Sequence, residues 1–365
     1  MLFTTTVSII AIYFAYISQF KSKNIFFELG FVLLTVIAAI QYNYGTDYMS
    51  YYDLWDQQYC SIDIGDFIEN FFNQVSWQEP GWILINAIFG FKYGFFILVA
   101  LISIIENYIY YRLIKEYVPI KWRWFAVFLY VAMDCLYLLN FSMLRQGFTV
   151  ALFVAAVILL NKKKLWSAVT IMILSLTIHA SSAVCIPFLI LYFMPLKKTR
   201  TLAILLLLLT SLIFIFKNLI MGVLNLMYAF EDIGKYSAYE QKTINGIGLG
   251  YLLAHIPNFI ILYALFTSSI VLTREQKVVA LLAFCDILIT PLQFYGAGLA
   301  GRLGFYFIAF KVASIPMIYG KIKIPSVQSI LFLISFFITL VVYYNFFQTY
   351  AGGYQQGYKT ILSVL

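Results

Sequence analysis

His179 is the clearest candidate for acid–base chemistry, because the chain has only two histidines. It lies in SLTIHASSAV, at a short polar break between two apolar segments. An imidazole at a boundary with water can act as a base or an acid near neutral pH. The competing interpretation is a histidine that only hydrogen-bonds a helix end, and the spacing leaves both open.

Two arginines are placed where they can bind an anion. Arg145 follows NFSML and precedes Gln146, and Arg302 follows the small-residue segment GAGLAG. A guanidinium fork binds phosphate oxygens at two points and does not lose its proton. Each arginine can instead be an anchor whose stem lies along apolar surface while its charge stays in water. The sequence alone leaves both interpretations open.

Carboxylates occur together with aromatic residues in two long polar segments. Carboxylate oxygens accept hydrogen bonds from sugar hydroxyls, and aromatic rings pack on the apolar faces of sugars. If residues 46–57 are helical, the first acid and the second tyrosine of that segment share a face at i, i+4. The alternative is an ordinary solvated loop. The candidates for base or sugar-binding roles are Asp47, Tyr48, Tyr51, Glu79 and Tyr239.

Composition predicts that helices in a membrane position these residues. The chain is 63% hydrophobic and 11% charged, whereas soluble domains carry roughly 25% charged residues. Lipid offers no hydrogen bonds to a bare backbone, which leaves helices or a closed barrel. Barrel strands alternate apolar and polar residues, and runs such as 201–216 do not alternate. The sequence therefore predicts an all-α membrane protein.

The apolar runs predict about twelve transmembrane helices of the length that a bilayer requires. We expect a single membrane domain over residues 1–365, with outer loops at about 43–92 and 221–246. These loops are rich in aromatic residues, so we expect them to carry short amphipathic helices that form a lid over the site. The predicted spans are 2–20, 25–42, 93–114, 123–140, 144–160, 165–178, 182–196, 201–220, 247–271, 277–294, 302–319 and 326–345.

The distribution of Lys and Arg predicts the orientation. Most of these residues fall in one set of alternate short loops, which should face the cytoplasm. Both termini and the candidate residues above then lie outside. The net charge of +8 therefore reflects topology, and a basic, aromatic stripe for nucleic acid is absent from the sequence. The first segment lacks a basic n-region and a cleavage site, so we expect a retained span.

Ionisable residues within the predicted spans have structural and functional interpretations. Asp286 and Lys311 lie at equal depth on consecutive helices, so we expect them to pair. Glu28 and Glu106 should reach polar partners, and Asp134 is placed to orient Arg145. Four cysteines without a C-x-x-C pair indicate neither a zinc site nor a disulfide framework.

Short motifs recur in a characteristic order from about residue 40 to the end. They are GTDYMSYY, EPGW, SMLRQG, TIHASS and AGRLGFYF, with a tail that ends in GYKTIL. Each motif is short, but their order on one predicted side of the membrane makes the combination more specific. In this combination the sequence resembles the EpsG-type, Wzy-like polysaccharide polymerases.

The resemblance implies a polymerase of repeat units carried on undecaprenyl pyrophosphate, as for O-antigen, capsule or exopolysaccharide. The family's RQ arginine falls on Arg145, followed by Gln146. Its H-x-S motif falls on His179 and Ser181, and its late arginine falls on Arg302.

Two acidic positions also match the family pattern. The early G-x-D motif falls on Asp47, and the acidic residue before proline falls on Glu79. We expect His179 to deprotonate the acceptor hydroxyl or to help bind the pyrophosphate, with Asp47 or Glu79 as the reserve base.

The expected surroundings follow from that activity. The donor and the acceptor would be lipid-linked oligosaccharides, with membrane lipid and a chain-length regulator as further partners and no nucleic acid. The expected location is the bacterial inner membrane, with the site facing the periplasm or the exterior. We expect no cofactor and no metal, because the sequence holds no DxD motif, P-loop or metal-ligand cluster.

Other functions use similar features. A transporter or flippase of lipid-linked glycans would need a polar path, which the ionisable residues in the spans could line. An O-antigen-ligase-like transferase would share the site and differ in its acceptor, and a hydrolase would release free glycan. A multi-pass acyltransferase would depend on an acyl donor.

Overall fold

The computed structural model describes residues 2–20, 24–60, 65, 79–133, 136–194, 196, 199–216, 249–267, 269–289, 298–349, 351–354 and 357–363. Contacts divide the chain into two compact units. The first consists of Met1–Leu189 with Thr339–Leu365, and the second of Ile190–Ile338. A single membrane domain stays a prediction. Asp134, Tyr239 and the loop 221–246 lie outside the described residues.

Helices make up almost all of the first unit in the part of the chain that is described. Helix α5 lies between α2 and α8, α1 packs on α2 and α6, and α9 runs along α8. Short 3₁₀ segments follow several of these helices, including Ala180–Cys185 after α9. The helices are α1 (Leu2–Ile17), α2 (Ile25–Ala39), α3 (Tyr48–Gln58), α4 (Pro80–Ile88), α5 (Gly94–Tyr117), α6 (Arg123–Ala132), α7 (Leu136–Leu139), α8 (Leu144–Asn161) and α9 (Leu165–Ile178).

The second unit is also helical where it is described. Helix α12 packs on both α11 and α13, and α10 packs on α11. Thr273 begins α12 with a capping box, in which its hydroxyl and the Gln276 side chain each accept a backbone N–H. The helices are α10 (Thr199–Ile215), α11 (Leu249–Phe266), α12 (Arg274–Phe284), α13 (Gly298–Tyr319) and α14 (Pro325–Thr349), and the boundary between the units lies inside α14.

The all-α prediction is confirmed, while the count of twelve spans stays a prediction. Within the described residues, five helices are long and apolar enough to cross a membrane. Most of the α13 span is buried within the protein, whereas only a small part of the α14 span is buried. Exposed apolar side chains on α14, such as Phe337 and Val341, require an apolar solvent around them. The five are Leu2–Phe20, Gly94–Tyr117, Leu144–Asn161, Arg302–Tyr319 and Pro325–Gln348.

Two predicted spans differ from continuous α-helices. The segment expected at 182–196 forms 3₁₀ turns, Ala180–Cys185 and Pro187–Tyr192. Pro187 begins the second of these segments, and it has no backbone N–H to donate to the turn before it. The segment expected at 123–140 is divided into α6 and α7.

The C-terminal tail returns to the first unit. A two-stranded antiparallel sheet joins β1 (Gln41–Tyr42) to β2 (Lys359–Thr360). Before β2, the short helix α15 (Ala351–Tyr354) contacts the loop that precedes α3, where the Gly45 N–H donates to the Gly353 carbonyl at 3.0 Å. Tyr354 is buried, and its hydroxyl donates to a backbone carbonyl of α7. The tail therefore supports the entrance to α3.

An aromatic cluster holds α3 and α4 against the longer helices. Its buried members include Tyr48 and Trp55 of α3, Trp82 of α4, Phe95 of α5 and Leu144 of α8. Each large aromatic side chain removes roughly 150–250 Å² from solvent when it is buried. The cluster thereby fixes α3 and α4, two helices of the first predicted outer loop, on α5 and α8. This packing brings Glu79 and Arg145 together.

Candidate functional site

The Glu79 carboxylate joins two of the predicted site residues. Its Oε2 accepts a hydrogen bond from the Arg145 guanidinium, and its Oε1 contacts His179 Nδ1. These partners are separated from Glu79 by 66 and 100 residues along the chain. The side chains of Arg145, His179 and Glu79 are 34%, 17% and 12% exposed. The cluster is therefore partly buried, and Arg145 is its most exposed member.

Local backbone geometry sets the position of Glu79. The residue has left-handed dihedral angles, φ 67° and ψ 51°, and it precedes Pro80 at the first position of α4. A non-glycine residue in this region is strained by about 1–3 kcal/mol, and such strain is concentrated at functional sites. The Glu79 carbonyl accepts the backbone N–H groups of Trp82 and Ile83 at 3.0 and 3.2 Å. Glu79 is thus held at the start of the helix.

A close approach of α4 to α9 brings the carboxylate to the imidazole. A Cβ at Gly81 would lie 2.3 Å from Thr177 Oγ1, so glycine is required for this contact. His179 follows α9 directly, with an extended backbone and its N–H on the Ser175 carbonyl. The end of one helix and the start of another therefore meet at the Glu79–His179 contact.

Arg145 is oriented by an aromatic ring as well as by the carboxylate. Its guanidinium lies over the Tyr51 ring, 5.3 Å from the ring centre, and its Nε lies 3.5 Å from the Tyr51 hydroxyl. The Tyr51 ring in turn meets Trp82 edge to face, with 5.8 Å between ring centres. Such cation–π contacts contribute about 0.5–2 kcal/mol. Tyr51 is therefore placed to orient the Arg145 guanidinium.

Ser142 connects the helix of Tyr51 to the helix of Arg145. Its hydroxyl accepts the backbone N–H groups of Thr46 and Asp47, each at 3.0 Å, just before α3 begins. Ser142 itself lies two residues before α8. This link was missed in the sequence, although Ser142 belongs to the quoted motif SMLRQG. The position of this serine just before a predicted helix could have indicated that its hydroxyl binds backbone N–H groups.

The electrostatics of the cluster keep Glu79 ionised. Burial alone would raise the pKa of this carboxyl, but hydrogen bonding to His179 and the positive charge of Arg145 outweigh that effect. The net result is a pKa below the ordinary value, helped by a backbone hydrogen bond from Ala180. An anionic Glu79 that binds Nδ1 directs the basic electron pair of His179 to Nε2. The geometry therefore suits a general base.

The other predicted residues occupy different positions. Asp47 precedes α3 one turn before Tyr51, and within the described residues no hydrogen bond or ion pair joins its carboxylate to the cluster. Tyr48 is fully buried and donates to the Gln41 carbonyl, so it supports the core. Gln146 is buried next to Arg145.

Two residues remain to be placed. Ser181 lies in the 3₁₀ segment that follows His179 and is partly buried. Arg302 lies in α13, in the second unit, and is partly buried. That Arg302 binds the same pyrophosphate as Arg145 stays a prediction.

The ionisable residues within helices gave three outcomes. Lys311 Nζ lies 2.7 Å from Asp286 Oδ2, and both side chains are almost completely buried, so the expected pairing is confirmed. His255 Nδ1 approaches the same oxygen at 3.2 Å, a contact that the sequence analysis missed. Glu28 reaches Lys115 at 3.4 Å, as expected. Neither oxygen of Glu106 has a hydrogen-bond partner among the described residues, so a polar partner for Glu106 stays a prediction.

The comparison with protein families gives a match over most of the chain. The match is to the EpsG family and covers residues 24–360, which include the cluster and the tail that pairs with β1. No curated protein and no solved structure matches the chain. With its apolar helices and this match, the chain is a membrane protein that belongs to the EpsG family of polysaccharide polymerases.

Proposed function

We propose that this protein joins oligosaccharide repeat units carried on undecaprenyl pyrophosphate, on the outer face of the cytoplasmic membrane. The observation that carries the proposal is the bridge that Glu79 makes between Arg145 and His179. This transfer needs a base for the acceptor and a positive group for the leaving pyrophosphate. His179, oriented by the Glu79 carboxylate, is the base, and the Arg145 guanidinium is the positive group. The family match supports the polymerase class.

The base would act on the acceptor. With Nδ1 held by Glu79, His179 Nε2 takes the proton of an acceptor sugar hydroxyl as its oxygen attacks the anomeric carbon of the donor. The new C–O bond forms while the bond from the anomeric carbon to the pyrophosphate oxygen breaks. The proton stays on the imidazole, and Glu79 stabilises the resulting imidazolium.

The guanidinium would act on the leaving group. Negative charge develops on the departing pyrophosphate, and Arg145 offers a planar fork whose five N–H donors exceed what one carboxylate oxygen accepts. Donors that face developing charge in a site sheltered from water contribute several kcal/mol to rate enhancement. Arg302 is proposed as a second pyrophosphate ligand.

The outer location follows from the predicted orientation, in which the basic loops face the cytoplasm. Residues 79, 145 and 179 all then lie toward the outer side. The same orientation places the donor's pyrophosphate at the outer surface and its prenyl chain in the lipid.

A reconstituted assay tests the proposal. Purified protein supplied with one lipid-linked repeat unit should produce a ladder of longer products, and Arg145→Ala should leave only the starting unit. Arg145→Lys should also fail, because lysine keeps the charge and loses the two-point fork. Arg302→Ala tests the second arginine in the same assay, and we expect the ladder to persist in the presence of a metal chelator.

Arg112 provides the matched control. It also lies over a tyrosine ring, 5.9 Å from its centre, and beside a carboxylate, but near the C-terminal end of α5. Arg112→Ala should give a normal ladder. A normal ladder from Arg145→Ala would refute the role of Arg145. Transfer of the lipid-linked unit across the membrane without any polymer would support a flippase instead.

A further inference from the structure

Glu106 is a fully buried acid without a visible partner. It lies in the middle of α5, and among the described residues neither carboxylate oxygen has a hydrogen bond. A buried carboxylate that lacks hydrogen bonds and a counter-charge is strongly disfavoured in a low-dielectric interior. Glu106 must therefore either carry a proton or bind a cation.

A chain of hydrogen bonds beside Glu106 runs in one direction. The side-chain N–H of Asn107 donates to the Ser103 carbonyl at 2.8 Å, so the amide oxygen is the atom that accepts from the Tyr130 hydroxyl, at 3.2 Å. The side-chain N–H of Asn140 then donates to the Tyr130 oxygen at 3.4 Å. The chain ends on Asn140 Oδ1, an acceptor that requires a donor.

Glu106 and Asn140 meet at one backbone position of α8. A Cβ added to Gly147 would lie 2.6 Å from Asn140 Oδ1 and 3.1 Å from Glu106 Oε1. Both oxygens are acceptors beside the same backbone position, and a proton or a cation is what would bridge them. Divalent cations take six or more oxygen ligands, and the Tyr130 hydroxyl here is already engaged in the chain. A proton on Glu106 would let its carboxyl group donate one hydrogen bond to Asn140 Oδ1.

We infer that Glu106 is a neutral carboxylic acid that donates to Asn140 Oδ1, and that it is a positioning residue for Arg145. The second part rests on the proposed function. The turn that contains Asn140 leads directly into α8: the Gly147 N–H donates to the Met143 carbonyl at 2.7 Å, and Arg145 lies between these two residues. An acid that fixes this turn also fixes the guanidinium.

Three substitutions separate a neutral donor from an anion. Glu106→Gln keeps the shape and an N–H donor, so kcat should stay within a factor of about three of wild type. Glu106→Ala removes the donor and should lower kcat by about 10²-fold, as expected for a misplaced catalytic group. KM should change much less, because the loss affects the leaving group in the transition state. Glu116→Ala, on the same helix, is the control.

Infrared spectroscopy tests the protonation state without using activity. The difference spectrum between wild type and Glu106→Gln at neutral pH should contain the carbonyl band of a protonated carboxylic acid. Absence of that band would overturn the inference, as would sodium- or calcium-dependent thermal stability that Glu106→Gln abolishes. A Glu106→Gln enzyme as slow as Glu106→Ala would overturn the positioning role. A normal ladder from Arg145→Ala would instead refute the role of Arg145, and the absence of any ladder from wild type would refute the proposed function; both outcomes would leave the infrared result standing.

Discussion

Replacing Glu79 by glutamine is the sharpest single test of the cluster, because it removes one charge and almost no volume. The glutamine side chain has one oxygen and one NH₂ group where Glu79 has two oxygens. If its oxygen accepts from Arg145, its NH₂ group donates to His179 Nδ1, and the imidazole is held in the tautomer whose Nε2 carries a proton and cannot act as a base. If its oxygen accepts from His179 instead, its NH₂ group faces the Arg145 donors and that contact is lost.

The expected loss can be estimated from the two contacts. A general base contributes about 10²–10⁴-fold to the rate, which corresponds to about 3–5 kcal/mol at the transition state. We expect kcat for Glu79→Gln to be lower than that of wild type by a factor within that range. Because the Arg145 side chain is 34% exposed, solvent screens its ion pair with Glu79, and the loss of folding stability should be smaller, about 1–3 kcal/mol.

The assay is the rate of chain extension from a lipid-linked repeat unit, together with thermal unfolding in the same detergent. Glu116 is the matched control, since its carboxylate also contacts two cations, Arg112 and Lys162. Glu116→Gln should extend chains at the wild-type rate. Retention of more than about a tenth of wild-type kcat by Glu79→Gln would refute the reasoning, because an unoriented imidazole should not act as an efficient base.

The pH dependence of stability gives a second readout of the same substitution. The pKa of Glu79 in the folded protein lies below its ordinary value of 4.5. Its ionised form therefore stabilises the fold at pH values above 4.5, and this contribution is lost as the pH falls through the lowered pKa. Glu79→Gln has no such group, so below about pH 4.5 its unfolding temperature should fall less steeply than that of wild type. Parallel curves would contradict the ion-pair assignment.

Substitutions at three further places, namely Tyr51, Gly45 and the Asp286–Lys311 pair, test the scaffold. Tyr51→Phe keeps the ring under Arg145, so chain extension should fall less than about tenfold, whereas Tyr51→Ala should lower it further, as measured by initial rates. Gly45→Ala should lower the stability of the fold by at least about 1 kcal/mol in thermal unfolding, because Gly45 has φ +115°. Lys311→Met should destabilise the protein by up to about 3–5 kcal/mol, because it removes the lysine counter-charge of buried Asp286 and leaves the contact with His255, and adding Asp286→Asn should restore much of that loss.

The helical class and the order of the elements were predictable because each depends on local composition. Apolar runs without alternation specify helices in lipid, and described helices coincide with most of the predicted segments. The pairing of Asp286 with Lys311 was predictable for a similar reason, since equal depth on consecutive antiparallel helices brings two side chains together. The 3₁₀ turns after His179 were not predicted, because the apolar composition of 182–196 resembles that of a span.

The contacts of the cluster depend on geometry that the sequence does not display. Glu79, Arg145 and His179 were each selected by residue type and motif, but Glu79 was assigned as a reserve base. Its bridging role arises from a left-handed backbone at the start of α4 and from the close approach that Gly81 permits. The sequence did not identify a partner for Glu106 for the same reason, because polar partners in a helical bundle come from helices that are distant in the chain.

The two histidines of the chain show why residue type alone does not identify the catalyst. Each contacts, through Nδ1, a carboxylate that also binds a cation: His179 through Glu79 and His255 through Asp286. In the second cluster the carboxylate and the lysine are only 2% and 1% exposed, so a substrate phosphate cannot reach that cation without unfolding its surroundings. In the first, the guanidinium is one-third exposed. The same three kinds of group can therefore stabilise a helical core in one unit and meet a pyrophosphate in the other, and access to the cation determines which role they have.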